Sequence, residues 1–138
     1  GRQGSDRLRR FETSIGVMKC LLERQVTEAV VLVRQLIAES RDPTFEFEAA
    51  CNLLAVLSRL TRHELRLESL EDDVLVLAQR FAVSHTTCDL LVRSIQGEDK
   101  LAAIVRDAYA AISKEAEDAV SNTLKEEGQG AKKKQANH

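Results

Sequence analysis

The chain has 138 residues, 43% hydrophobic and 30% charged, with a formal net charge of −2; that is room for one folded domain with a core of its own. Only 4% aromatics, one Pro, six Gly and no Trp argue against an all-β fold, which needs frequent turn residues and aromatic or β-branched strands. The charge is uneven: residues 1–10 carry +3 and 125–138 carry +2, leaving −7 for 11–124, and a basic tail on an acidic body does not by itself make a nucleic-acid-binding domain.

Periodicity predicts helices throughout. The first is expected from Asp6 to about Arg24, with Leu8, Phe11, Ile15, Met18 and Leu22 at spacings of three, four, three and four as its inward face. Gly16 inside it suits a close helix contact. A second helix is expected over Thr27–Ser40, capped by Thr27, with Glu28 at the positive end of its dipole and Ala29, Val30, Val33, Leu36 and Ile37 facing inward. Arg41-Asp42-Pro43 reads as a stop and a start, with Asp42 capping a third helix that carries Phe47, Ala50, Leu54 and Leu57 to about Leu60.

Thr61-Arg62-His63 holds neither Gly nor Pro, so residues 44–82 could form one rod. A break is preferred there because a helix of ~39 residues far exceeds the average for globular domains. The fourth helix is expected over Glu64–Val83 with Leu67, Leu70, Val74, Leu77 and Phe81 inward. Ser84-His85-Thr86-Thr87 offers capping hydroxyls for a fifth, Thr87–Ile95, which Gln96-Gly97 ends with a left-handed cap. The sixth, from Asp99 to about Leu124, places Leu101, Ile104, Ala108, Ile112 and Ala119 on one side; its alanines suit tight packing or an exposed extension. Residues 125–138 lack an apolar period and are expected to be a disordered basic tail beyond a single helical domain, 1–124.

The segments MKCLLERQV, CNLLAVLSRL and TTCDLLVRSI each set a cysteine beside Leu-Leu, with the Leu pairs at 21–22, 53–54 and 90–91. Each pair lies in the first member of a helix pair, which suggests three stacked antiparallel helical hairpins, six helices in an all-α fold, with leucines sealing the seams. Here LLERQVTEAVVLVRQLIAESRDP resembles a tetratricopeptide repeat. Glu28-Ala29-Val30 stands where that family has a small residue opening its second helix, Val33 and Leu36 follow at its apolar spacing, and Pro43 falls near its terminal proline. The aromatic and small residues of the family's first helix are absent, and the later units match in apolar spacing alone. The resemblance, over about 15–95, implies a helical array that binds proteins. The chain is also similar to helical output segments fused behind bacterial receiver domains; a generic six-helix bundle is the alternative architecture.

Cys20, Cys51 and Cys88 with His63 or His85 would be a zinc set, but zinc motifs pair ligands a few residues apart and no such pair exists. Buried free cysteine behaves as a small hydrophobe, so the cysteines read as packing residues, with no metal and no cofactor; an exposed redox thiol is the lesser alternative. There is no Gly-rich phosphate loop, Gly-x-Ser-x-Gly or His-Glu-x-x-His, and His85 with Thr86, Thr87 and Cys88 reads as a capped turn. No enzyme is expected. Glu64, Glu68, Glu71, Asp72 and Asp73 could dock a basic partner or form a solvated helix face on which like charges at i,i+4 repel. Arg7, Arg9 and Arg10 with Lys132, Lys133 and Lys134 have no aromatic companions for base stacking in the tail.

Polar residues on the first helices of each pair are the expected partner-binding set: Lys19, Asn52, Arg59 and Arg93. Gly1 rather than Met, with a helix following at once, suggests a fragment or processed form. No apolar run spans a bilayer and no secretory leader opens the chain; three cysteines without an export signal point to free thiols in the cytoplasm. The reading is a non-catalytic protein–protein interaction module, part of a larger bacterial signalling or adaptor protein, binding another protein or peptide. The alternative is a compact helical regulator that homodimerises or contacts nucleic acid through its last helix and basic tail.

Overall fold

The structure, a computed structural model, describes residues 2–136, with side chains over 4–128. Six α-helices and no strand make up the described residues: α1 (Arg2–Leu22), α2 (Val26–Glu39), α3 (Phe47–Arg62), α4 (Leu70–Phe81), α5 (His85–Ile95) and α6 (Asp99–Ala136). None is long and apolar enough to cross a membrane. Contacts place α1 against α2 and α3, α3 against α5, and both α4 and α5 against α6; α3 meets α2 and α4 less extensively.

The first helix is rotated from its expected orientation. Its buried face is Arg10, Ser14, Val17 and Leu21, whereas Leu8, Phe11, Ile15 and Leu22 are exposed and Met18 is half-buried. An arginine can occupy the inner face because its partners are built around it. Arg10 donates to Glu39 Oε2 at 3.3 Å, Thr44 O at 3.1 Å and Thr44 Oγ1 at 3.3 Å, and its guanidinium lies 5.1 Å from the Phe45 ring centroid. Ser14 is satisfied by donating to Arg10 O. Gly16 does face α2, but a Cβ there would stand 3.4 Å from Leu32 Cδ1, an ordinary contact, so the packing does not require glycine.

Arg24, in the left-handed region at φ 59°, turns the chain into α2. Gln25, not Thr27, holds the N-cap position, and no side chain caps it. Ala29, Val33 and Leu36 are buried, as the spacing requires.

The connection 40–46 differs from the expected helix start. Asp42 accepts from Thr44 N at 2.8 Å and from Thr44 Oγ1 at 2.7 Å, so it closes its own turn instead of capping α3. Those hydrogen bonds, the backbone one first, hold its carboxyl below the usual range. Arg80, from α4, donates to the carbonyls of Ser40, Asp42, Pro43 and Phe45 at 2.8–3.0 Å. With those acceptors satisfied and Phe45 buried, the loop keeps an irregular path, and α3 begins at Phe47, four residues past the proline.

Central α3 buries Ala49, Ala50, Leu53, Leu54, Val56, Leu57, Ser58 and Leu60. The three Leu pairs are not equivalent: Leu53 and Leu54 are both buried, but the first pair buries Leu21 and exposes Leu22, and the third buries Leu91 and exposes Leu90. One slot is therefore not reused three times. The units share a letter pattern but enter the core in different registers.

The break after α3 exists, and it is longer than expected. Glu64 and Ser69 adopt φ 58° and 67°, which ends α3 and delays α4 to Leu70. Glu64 and Glu68 consequently lie in the connection, where they share no helix face and no i,i+4 repulsion acts between them. Within α4, Val74 and Leu77 are buried, while Leu70 and Phe81 pack at the core's edge. Ser84 caps α5 in a capping box: its Oγ accepts from Thr87 N at 3.1 Å while Thr87 Oγ1 accepts from Ser84 N at 3.0 Å. The helix starts at His85, two residues before the expected position, and ends at Gln96 (φ 50°) and Gly97 (φ 93°).

Leu101, Ala102, Val105 and Ala108 of α6 are buried, and Ile104, Tyr109 and Ile112 are half-buried. From residue 114 to 128 every side chain is exposed, so Ala119 does not join the core. The helix continues through Ala136, where a disordered tail from 125 is expected.

Candidate interaction surface

The apolar residues that α1 leaves uncovered form its most regular feature. Leu8, Phe11, Ile15 and Leu22 are 57%, 47%, 52% and 82% exposed, and with half-buried Met18 they complete a 3-4-3-4 spacing along one edge. Exposed apolar residues grouped along one helix edge are the kind of surface that marks interaction sites. Beside it runs α3. Arg7 pairs with Glu46 at 3.6 Å and with Glu48, fixing the two helices together at this end. Between them lies a cleft of about 250 Å³, lined by Leu8, Phe11, Glu48, Ala49 and Asn52.

Of the residues expected to bind a partner, only Asn52 lines this cleft, half-buried. Lys19 and Arg59 are exposed on α1 and α3, and neither makes an ion pair among the described residues. By helical rotation Lys19 stands on the edge of the stripe away from Arg7 and α3. Arg93 is exposed on α5 and pairs with Asp89 at 3.1 Å within its own helix. The four residues thus lie on three helices that adjoin in the order α1, α3, α5, without converging on one point. The apolar stripe was visible in the sequence, and its spacing was the signal. It reads as a core face because the competing inner face carries Arg10 and Ser14, which hydropathy alone excludes from a core.

A second, larger groove of about 840 Å³ opens where the 63–69 connection meets the first turns of α4 and α6. Its floor is Leu65, Leu67, Leu70 and Leu101; Glu64, Glu71, Asp72 and Glu98 outnumber Arg66 and Lys100 on its rim. The acidic run does not form a single face. Asp73 is buried and pairs with Arg41 at 3.3 Å, and Glu68 lies outside the groove lining. Among the N-terminal basic residues, Arg9 and Arg10 both pair with Glu39, at 3.1 and 3.3 Å. The side chains of Lys132, Lys133 and Lys134 lie outside the described ones.

Cys88 is buried and Cys20 and Cys51 half-buried. Burial pushes the Cys51 thiol up; a hydrogen bond with Ser94 partly offsets this and Glu48 adds to it. Burial likewise raises Cys88, against the nearby Arg106 and with Asp89. Both shifts favour the protonated thiol, the weaker nucleophile. His63 and His85 are exposed, the latter meeting Tyr109 edge-on with ring centroids 6.4 Å apart. Among the described residues no three His, Cys, Asp or Glu converge as metal ligands.

No protein-family model matches the chain, and neither a curated protein nor a solved structure does.

Proposed function

We propose that the chain is a non-catalytic protein–protein interaction module of the cytoplasm, three helical hairpins stacked in the manner of a tetratricopeptide array, within a larger bacterial signalling or adaptor protein. The observation that carries this reading is the exposed stripe Leu8, Phe11, Ile15 and Leu22 beside the Asn52 cleft. An apolar helix edge next to a half-buried amide supplies both affinity and orientation for a protein partner. The adjoining order of α1, α3 and α5 supports stacking of first helices, with Lys19, Arg59 and Arg93 as polar contacts at its margin. The close association of α4 with α6 fits a second layer behind them. The test is affinity capture from native cell extract with the intact module and with Phe11→Ser/Asn52→Ala. Loss of specific partners from the variant is expected, and identical recovery by both overturns the site.

One observation favours a second reading, a compact regulator that dimerises or touches nucleic acid through its last helix. The exposed distal part of α6 carries Val120 and Leu124 at 61% and 62% exposure. If this reading holds, deleting 125–138 weakens binding to anionic polymer, and raising salt abolishes it, as phosphate contacts require.

A further inference from the structure

We propose that the exposed edge of α1 is a dimerisation seam, occupied by the same edge of a second copy running antiparallel. The proposal rests on reading that edge as a binding surface and names its occupant. A helix that presents large apolar residues at alternating spacings of three and four forms the a/d seam of a two-helix coiled coil. Leu8, Ile15 and Leu22 take the a positions, Phe11 and Met18 the d positions. Among the described residues only α2 and α3 pack extensively on α1, so a helix can approach its free edge.

Charge identifies the second copy. On the edge of the seam away from α3, the e positions of successive heptads are Glu12 and Lys19, both exposed and without an ion pair among the described residues. In an antiparallel pair, e positions face e positions. A two-fold axis near Ile15 then sets Glu12 of each copy against Lys19 of the other, twice by symmetry, which is the self-complementarity an isologous interface needs. A parallel pair would instead match Glu12 with Arg7 of the other copy, but Arg7 is already held by Glu46 and Glu48.

The experiment is sedimentation equilibrium of the full chain across concentrations, with circular dichroism confirming that each variant is folded. The wild-type chain is expected to dimerise, and Ile15→Glu, which places a carboxylate in the seam, to weaken the dimer by at least 100-fold. E12K and K19E should each weaken it by about 10-fold, since each creates two like-charge contacts, and the double variant E12K/K19E should restore wild-type affinity. A chain monomeric at every concentration overturns the pairing, even if Phe11→Ser/Asn52→Ala still loses a different protein partner; that pair of results leaves the binding surface standing and removes only its occupant. Weakening by E12K that K19E does not share, with no rescue in the double variant, overturns the antiparallel arrangement.

Discussion

The two edges of α1 carry opposite lessons about hydropathy. The inner edge, Arg10, Ser14, Val17 and Leu21, is the more polar and is buried; the outer edge, Leu8, Phe11, Ile15 and Leu22, is wholly apolar and faces solvent. Burial followed available partners rather than side-chain polarity. Glu39, Thr44 and the Phe45 ring surround Arg10 on three sides, and a buried guanidinium that is fully satisfied is tolerated where a partly satisfied one is not. The sharpest way to break the inner edge is therefore Arg10→Ala. It leaves Thr44 O and one Glu39 oxygen without their donors, and the expected loss is about 3 kcal/mol in urea unfolding.

The same contrast holds between the two long connections. Residues 40–46 are fastened from α1 by Arg10 and from α4 by Arg80, while 63–69 turns on left-handed Glu64 and Ser69 and borders an open groove. Arg80→Ala removes donors to four carbonyls at once. Water can reach some of them, so the expected cost is about 2 kcal/mol, smaller than at Arg10. Native-state hydrogen exchange should localise it: the amides of 40–46 lose protection in Arg80→Ala while those of 63–69 do not change.

Local signals in the sequence were legible wherever the competing physics was also local. Ser84 with Thr87 is a capping box made of near neighbours, and Gln96-Gly97 needs only backbone conformation to end α5. All six helices could be read, from apolar spacing or from their caps, for that reason. What could not be read depends on residues far apart in sequence. The rotation of α1 is decided by Glu39 and Thr44, and the late start of α3 by Arg80. The Leu-Leu echo misleads by the same route. Identical dipeptides meet different neighbours, so Leu22 and Leu90 are exposed although Leu53 and Leu54 are not. Of the expected partner-binding residues Asn52 reaches a cleft, whereas the stripe next to it was legible as a pattern but assigned to the wrong side.

The thiols give a smaller effect, tied to pH. Folding raises Cys51 and Cys88, chiefly by burial. A group raised on folding contributes stability that is complete below its unfolded value, about 8.5 for a thiol, and that is lost as pH rises through the folded value. Unfolding free energy should thus decline from about pH 8.5 upward, and Cys51→Ala/Cys88→Ala should flatten that decline without changing the slope near neutrality.

The smallest expected change lies on the outer edge of α1. Ile15 is 52% exposed, so Ile15→Ser removes little burial from the single chain and should alter its stability by less than about 0.5 kcal/mol in dilute solution. Concentration supplies the contrast. A folded dimer gains stability by mass action, so the wild-type melting temperature should climb as the chain is concentrated and that of Ile15→Ser should not. Equal climbs would mean that this edge takes no part in association, and no climb in either would mean that the chain does not self-associate. A loss of several kcal/mol in dilute Ile15→Ser would place that residue in the core and return α1 to the orientation its hydropathy suggests.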